Sequence, residues 1–309
     1  MAYRTLSKSR EFLLPSLLFL VPLACGWILG REVDRRSEQR LESRIEIISE
    51  RIKAQIESHV ISQEDLISFA AEEALGLDAE RSLDPKSGLG QNLDFFRRAQ
   101  SLVGRRPGIQ AINWISKEGV IEMTVSNAEN KQALNQDFSK HPNAGVRAAF
   151  ARAVQSGEQD GASLLGGELT RTPLIDLYQG GKGYAVFHAV NSLESGLVGV
   201  LNATFLLPDL VHASVRAEAL EDLAAFEIVD ARGVIVFSSD GEHPGKNLDY
   251  SVTSILDLTS EPLFVRAHPT RAWLAAGFPS EAPFYTLIGA LLGLVIGTFS
   301  WNLERQRSG

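Results

Sequence analysis

The chain predicts an α+β fold in which a long polar stalk helix leads into two antiparallel-sheet units, with a transmembrane helix at either flank. Three observations carry this. Two 19-residue runs without a charge, 12–30 and 283–301, lie near the two ends of the 309 residues. Between them the apolar spacing switches from the helical period of three to four to the strand period of two. One hairpin pattern is also written twice, its turn glycines 114 residues apart.

Each apolar run, as a helix rising 1.5 Å per residue, nearly crosses a hydrocarbon core of about 30 Å. Residues 12–30 and 282–302 are therefore expected to span the membrane, with short cytoplasmic tails at 1–11 and 303–309. A cleaved signal or lipoprotein signal ending at Cys25 is disfavoured, because Pro22 stands where such a motif takes leucine and Trp27, Ile28 and Leu29 continue the run. Cys25 is then an apolar residue buried without a redox role. In the second run Gly289, Gly293 and Gly297 recur every four residues, a smooth stripe along which another helix can approach closely.

The stalk, 31–75, carries Leu41, Ile45, Ile48, Ile52, Ile56 and Val60 at spacings of 4, 3, 4, 4 and 4. Such a narrow stripe needs a cover, either a partner helix in a homodimer or the domain behind it. Residues 76–90 are rich in Gly, Asp, Ser and Pro and read as a loop. The distal unit, 76–210, then contains a helix from Leu93 to Val103 with Asn92 as N-cap and strands 109–115 and 120–125 about a turn at Gly119. A helix from Gly145 to Gln155 stops at Ser156-Gly157, and strands 174–178, 183–190 and 196–205 follow. The proximal unit, 211–281, follows a helix at 208–216. Its hairpin, Ile228-Val-Asp-Ala-Arg-Gly-Val-Ile235, matches Trp114-Ile-Ser-Lys-Glu-Gly-Val-Ile121, and further strands are placed at 250–258 and 263–267.

Composition narrows the function classes. Outside the tails, which hold Arg4, Lys8, Arg10, Arg305, Arg307, Glu11 and Glu304, there are 25 basic and 36 acidic side chains, so nucleic acid is a poor partner. One cysteine forms no internal disulfide, and no two of His59, His141, His188, His212, His243 and His268 have the i, i+4 spacing of a metal-binding helix face. No metal or cofactor is expected. Gly180-Gly-Lys-Gly183 lacks the spacing and the Ser or Thr of a phosphate loop and reads as a turn. The sequon at Asn202 lies inside a strand, where a glycan does not fit. No Gly-x-Ser-x-Gly elbow is present, so the chain is not expected to be an enzyme.

The helix and Ser-Gly ending of 148–157, the strand Tyr184-Ala-Val-Phe-His-Ala-Val190 and Gly199-Val-Leu-Asn-Ala-Thr-Phe-Leu206, leading into Leu210-Val-His-Ala-Ser-Val215, resemble the CHASE family of extracytoplasmic sensor domains. The resemblance covers roughly residues 95–216, and Cache-type sensors share the outline. It implies two PAS-like units in the periplasm or outside the cell, anchored in the inner (plasma) membrane. The lysine and arginine count argues the other way, with Arg31, Arg35, Arg36, Arg40 and Arg44 beside the first span. The resemblance overrules it.

In such folds the ligand, a small molecule or a protein signal, sits between the distal sheet and its covering helices. Trp114, Tyr184, His188, Asn202 and Thr204, joined by Asp176 and Tyr178, are the expected lining, with aromatic walls and a few polar anchors. Only eight residues follow Trp301. The chain is thus either a stand-alone sensor subunit acting on a separate output protein, or the sensing part of a longer receptor. The alternative is a membrane-anchored assembly protein whose PAS-like units bind another protein. A closed, core-filled distal unit favours the alternative, and an open cleft favours sensing.

Overall fold

The computed structural model of the protein describes residues 2–79, 93–126, 133–159, 165–177, 180–192, 196–216, 224–239, 251–270 and 281–307. The chain divides into two compact units, Met1–Ile45 with Pro269–Gly309, and Glu46–His268. The fold is α+β, with a long N-terminal helix, two antiparallel sheets and two helices apolar enough to cross a membrane.

The first unit is a helix pair. Helix α1 (Ala2–Ala79) carries one apolar stretch long enough to cross a membrane and helix α5 (Ala282–Arg307) the other. The apolar windows have mean hydropathies of 1.5 and 1.8 and are only 11% buried, so Leu20, Val21 and Leu29, like Leu291, Val295 and Phe299, face outward. The glycine stripe is used within the chain. A Cβ on Gly289 would lie 3.2 Å from the Cα of Gly26, one on Gly293 would lie 2.5 Å from the carbonyl oxygen of Phe19, and one on Gly30 would lie 2.5 Å from the Cα of Ala282. Gly297 lies farther along, in an open groove with Ser16, Phe19, Leu20 and Trp301. Asp34 accepts a hydrogen bond from the N–H of Glu281 at 2.9 Å, capping the entry to α5. Cys25 is exposed on the surface of this pair.

In the second unit, α1 continues past both sheets. Ile52, Ile56, Val60 and Ile67 are buried, as are Ile45 and Leu41 at the stalk's start, while Ile48 is half-buried. The stalk stripe is therefore largely covered by the chain's own residues. Ser49 lies 3.0 Å from Ser254 and Glu57 accepts from the N–H of Asp257, which fixes the buried side of the helix against the four-stranded sheet.

The six-stranded sheet contains β1 (Ile109–Ser116), β2 (Ile121–Ser126), β3 (Leu165–Arg171), β4 (Ile175–Asp176), β5 (Lys182–Ser192) and β6 (Gly196–Leu206). Its order is β2-β1-β6-β5-β3, with β4 also on β5. The central strands β1, β5 and β6 are apolar on both faces because helices cover both. Helix α2 (Leu93–Arg105) packs on β1 and β2, and α3 (Ala144–Gln159) on β3, β5 and β6. The four-stranded sheet follows α4 (Leu207–Arg216) and contains β7 (Ala225–Val229), β8 (Ile235–Ser238), β9 (Val252–Leu256) and β10 (Leu263–His268), in the order β8-β7-β10-β9.

The repeated hairpin is a structural repeat. Gly119 and Gly233 have φ of 94° and 80°, a region open to glycine. Each N–H bonds the carbonyl three residues back, on Ser116 and Asp230, at 2.9 Å. The register shifts at the same place in both, between Trp114 and Ile115 and between Ile228 and Val229.

Three expectations need correction. Helix α1 runs on to Ala79, into the stretch 76–90 expected as a loop, the rest of which lies outside the described residues. Helix α3 runs through Ser156-Gly157 instead of stopping there. Asn191 donates to the Gly157 carbonyl at 3.0 Å, and the absent side chain makes room for Leu197 and Ala189, so this glycine serves close packing and not a cap. The strand expected at 174–178 shrinks to Ile175–Asp176, and β3 was not foreseen. Beside Pro173, which has no N–H, the Thr172 hydroxyl accepts from the Ala185 N–H at 2.9 Å and so stands in for a ladder bond.

Candidate functional site

Register decides which residues share a face of the distal sheet, because side chains of directly paired residues lie on the same side. Asn202 pairs with Asn113 and Phe187, Thr204 with Ala111 and Ala185, and Thr124 with Asn113. These residues face α3. Trp114 pairs with Leu201, Tyr184 with Phe205 and His188 with Leu201, so these three lie on the opposite face. The expected lining is therefore split by the sheet. Asn202 and Thr204 stand on one side, Trp114, Tyr184 and His188 on the other.

On the α3 side is a cavity of about 40 Å³ lined by Asn113, Ile121, Ala133, Phe138, His141, Val146, Ile175, Asp176, Leu177, Ala185 and Thr204. Its volume suits water-sized occupants, well below the several hundred Å³ of a drug-sized pocket. The floor is a continuous chain of amides and hydroxyls. Thr124 donates to Asn113 Oδ1 at 2.5 Å, Asn113 Nδ2 donates to Asn202 Oδ1 at 2.7 Å, and Asn202 Nδ2 donates to the Val186 carbonyl at 2.9 Å. Beneath α3, Phe138, Phe150 and Phe187 form an aromatic wall with centroid separations of 5.3–6.1 Å.

The segment carrying Phe138 is held to the first hairpin. The N–H of Ile121 bonds Gln136, that of Asn135 bonds Ile121, and that of Phe138 bonds Gly119, at 2.8–2.9 Å. Asp137 begins the short 3-10 turn 138–140 and accepts from Ser139. Lys140 and Ser139 together hold its carboxyl at about 2. His141 stacks on Phe138, and burial, reinforced by the nearby Arg147 charge, lowers its imidazole's pKa, keeping it neutral near pH 7. Asp176 stands at the rim, largely exposed, with Lys182 at 2.6 Å. Tyr178 lies outside the described residues. The Gly180-Gly-Lys-Gly183 segment is a turn, with Gly180 and Gly181 at φ of 88° and 85°.

The opposite face belongs to α1. Trp114 is buried with its indole over Gly199, whose added Cβ would collide with the ring. Tyr184 stacks on Phe205 at 5.2 Å, and its hydroxyl is buried without a hydrogen-bond partner. Burial pushes the phenol well above its ordinary range, and the Glu64 carboxylate adds to the effect. His188 Nδ1 lies 3.2 Å from Ser68 Oγ, and Arg171 on β3 forks onto Glu64 at 2.7 and 3.0 Å. These groups tie the sheet to the stalk helix. They line no part of the cavity.

Sequence reasoning missed Asn113, Phe138 and His141. The available signal for Asn113 was an amide between the apolar residues Ile112 and Trp114, which mirrors Asn202 inside β6. Among the described residues no three His, Cys, Asp or Glu side chains converge as a metal site.

No family model matches the chain, and no curated protein matches it either. Among solved structures it is similar to an extracellular ligand-binding receptor from Desulfohalobium retbaense, with a TM-score of 0.50 and 10% identity over 73% of this chain. This chain spans 40% of that receptor's length. The ligand-binding domain of the Pseudomonas aeruginosa amino acid chemoreceptor PctC, in complex with GABA, gives a TM-score of 0.47 and 13% identity over 73% of this chain and 98% of that one. The periplasmic sensory domain of the Campylobacter jejuni chemoreceptor Tlp1 gives 0.45 and 10%, over 79% and 99%. What the chain shares with the first of these is its fold, and its structural neighbours are sensory domains of receptors.

Proposed function

We propose that the chain is a two-pass membrane sensor of the CHASE and Cache outline, with its 46–268 unit outside the cytoplasm. The distal unit binds a small uncharged molecule on the α3 side of its sheet. The signal then passes through the spans to an output partner. The observation that supports this most directly is the cavity floored by Asn113, Asn202 and Thr204 and walled by Phe138, in the place where the resemblance puts a ligand; at about 40 Å³ it has to widen to take more than water.

The chemical class follows from charge. Among the described residues around the cavity, Asp176 is paired with Lys182, Asp137 with Lys140, and the Arg147 guanidinium donates to the carbonyls of His141 and Pro142. The floor is neutral. A buried ammonium or carboxylate would find no counter-charge there, and burying a charge unpaired is prohibitive. An uncharged ligand with one hydrogen-bonding group suits Asn113 and Thr204.

A second reading, a membrane-anchored assembly protein, draws its support from the small size of the cavity, which a core-filled unit would share. Two experiments separate them. Full-length protein in lipid nanodiscs is screened by thermal shift against small neutral and charged metabolites. Sensing predicts stabilisation by a neutral compound that Asn113→Leu abolishes; stabilisation by charged compounds alone would refute the assignment. For topology, Glu118→Cys in a Cys25→Ser background should react with a membrane-impermeant maleimide in intact cells. Reaction only after lysis would place the unit in the cytoplasm and end the sensor reading.

A further inference from the structure

The four-stranded sheet repeats the distal floor with different chemistry. By the 114-residue offset, Asn113 and Thr124 correspond to Glu227 and Ser238, and the two pairs share the same register. The partner strands extend the correspondence. Asn202 faces Asn113 as Arg266 faces Glu227, and Thr204 faces Ala111 as His268 faces Ala225. Phe264 and Thr253 lie on this face too, through their pairings with Val229 and Arg266.

The distal set is neutral, and its hydrogen bonds run in a continuous chain from Thr124 to the Val186 carbonyl. The proximal set is charged, and its hydrogen bonding is incomplete. Glu227 is 1% exposed, its Oε2 lies 3.8 Å from Arg266 Nη1, and its Oε1 is buried with no hydrogen-bond partner. A buried carboxylate oxygen without a donor is rare and unfavourable, and a bound donor would relieve it. Arg266 is 30% exposed and so can be reached from solvent.

We propose that this face of the four-stranded sheet is a second ligand site, for a small uncharged polyhydroxyl compound of the sugar type. One hydroxyl donates to Glu227 Oε1 and a neighbouring oxygen accepts from Arg266. A hydroxyl serves as donor and acceptor alike, so a vicinal pair can satisfy both residues at once. The Glu227–Arg266 pair is net neutral, and a charged ligand would leave one charge uncompensated. The hydroxyls of Ser238 and Thr253 flank the pair. Half-buried Phe264 offers an aromatic surface to the C–H face of a ring. This site is separate from the distal cavity and does not depend on it.

The test uses the full chain in phosphatidylcholine nanodiscs, because maltoside and glucoside detergents would themselves present sugars. D-glucose, D-galactose and D-ribose are titrated at millimolar concentration while thermal melting is followed. At least one should raise Tm saturably, by about 5 °C or more near a hundredfold excess over its Kd. Glu227→Leu and Arg266→Met should each abolish the shift, whereas Asn113→Leu should keep it. If Glu227→Leu fails to fold, Arg266→Met carries the test alone. The proposal is overturned if none of the three sugars shifts Tm, if the shift survives both proximal variants, or if it is lost only in Asn113→Leu, which would place the sugar in the distal cavity.

Discussion

Removing Arg171 is the most informative perturbation of the contact between sheet and stalk. Its guanidinium forks onto the Glu64 carboxylate at 2.7 and 3.0 Å, and the two side chains are unequally buried, 28% exposed for Arg171 and 6% for Glu64. Breaking a fully buried pair by deleting one partner costs about 3–5 kcal/mol, against about 0–1 for an exposed pair. The asymmetry sets the order of effects. Arg171→Ala strands a nearly buried carboxylate and should cost about 3–4 kcal/mol, whereas Glu64→Ala leaves a guanidinium that can turn to water and should cost about 2. For a folded unit of this size each kcal/mol corresponds to about 2–4 °C in Tm, so Arg171→Ala should melt about 6–16 °C lower and Glu64→Ala about 4–8 °C lower. The double variant should fall no further than Arg171→Ala alone, a coupling of about 2 kcal/mol. Thermal melting of the four proteins in one nanodisc preparation measures all of this. Additive losses, or a larger loss from Glu64→Ala than from Arg171→Ala, would refute the picture of a coupled pair whose carboxylate is the buried half.

Three other outcomes are expected. Gly199→Ala places a methyl 2.6 Å from the Ile115 carbonyl and against the Trp114 ring, and should cost about 1–3 kcal/mol with a shift in tryptophan emission; an unchanged melt would contradict the close approach. Burial lowers the pKa values of His59 and His141 below 6.5, so the stability they contribute is present above pH 6.5 and is lost as pH falls through their folded values. Melting should therefore weaken from pH 7 toward pH 5, and the His59→Gln, His141→Gln double variant should flatten that slope. Gly289→Leu should separate α1 from α5 without preventing insertion, read as a lower Tm in membranes of the same expression level. An unaltered Tm would mean that the Gly26–Gly289 approach does not hold the helices together.

The elements that were legible are those whose signal is local. The turns at Gly119 and Gly233 need a positive φ, and β5 and β6 are long apolar runs, so hairpins and central strands could be placed within a residue or two. The illegible features depend on partners distant in sequence. Ser156-Gly157 reads as a helix stop, yet Asn191 and Ala189 on β5 use it as packing room. Alternation within β1 correctly groups Ile112 with Trp114, and within β6 it groups Asn202 with Thr204. Only the pairing of Asn113 with Asn202 reveals that the two groups face opposite ways. The stalk stripe was legible as a stripe, but its cover is largely the chain itself, and no periodicity could choose between that and a second helix.

The opposed faces of the distal sheet bear on how an event at the cavity could be felt elsewhere. Asn202, on the cavity floor, donates to the Val186 carbonyl at 2.9 Å, and so grips the backbone of β5 from the α3 side. The residues on either side of Val186 along that strand's other face are Tyr184 and His188, and His188 meets Ser68 of α1. Val186 itself pairs with Arg171, which holds Glu64. One peptide unit of β5 is thus gripped by the cavity floor, while its flanking side chains and its paired strand engage the stalk helix. A ligand that drew the Asn202 amide toward itself would lengthen the bond to Val186. Contact alone does not make a signal path. It does confine any mechanical coupling to β5 and β3, and it explains why the polar groups that looked like ligand anchors in the sequence, His188 and Tyr184, sit on the side away from the cavity, where the sheet meets the helix.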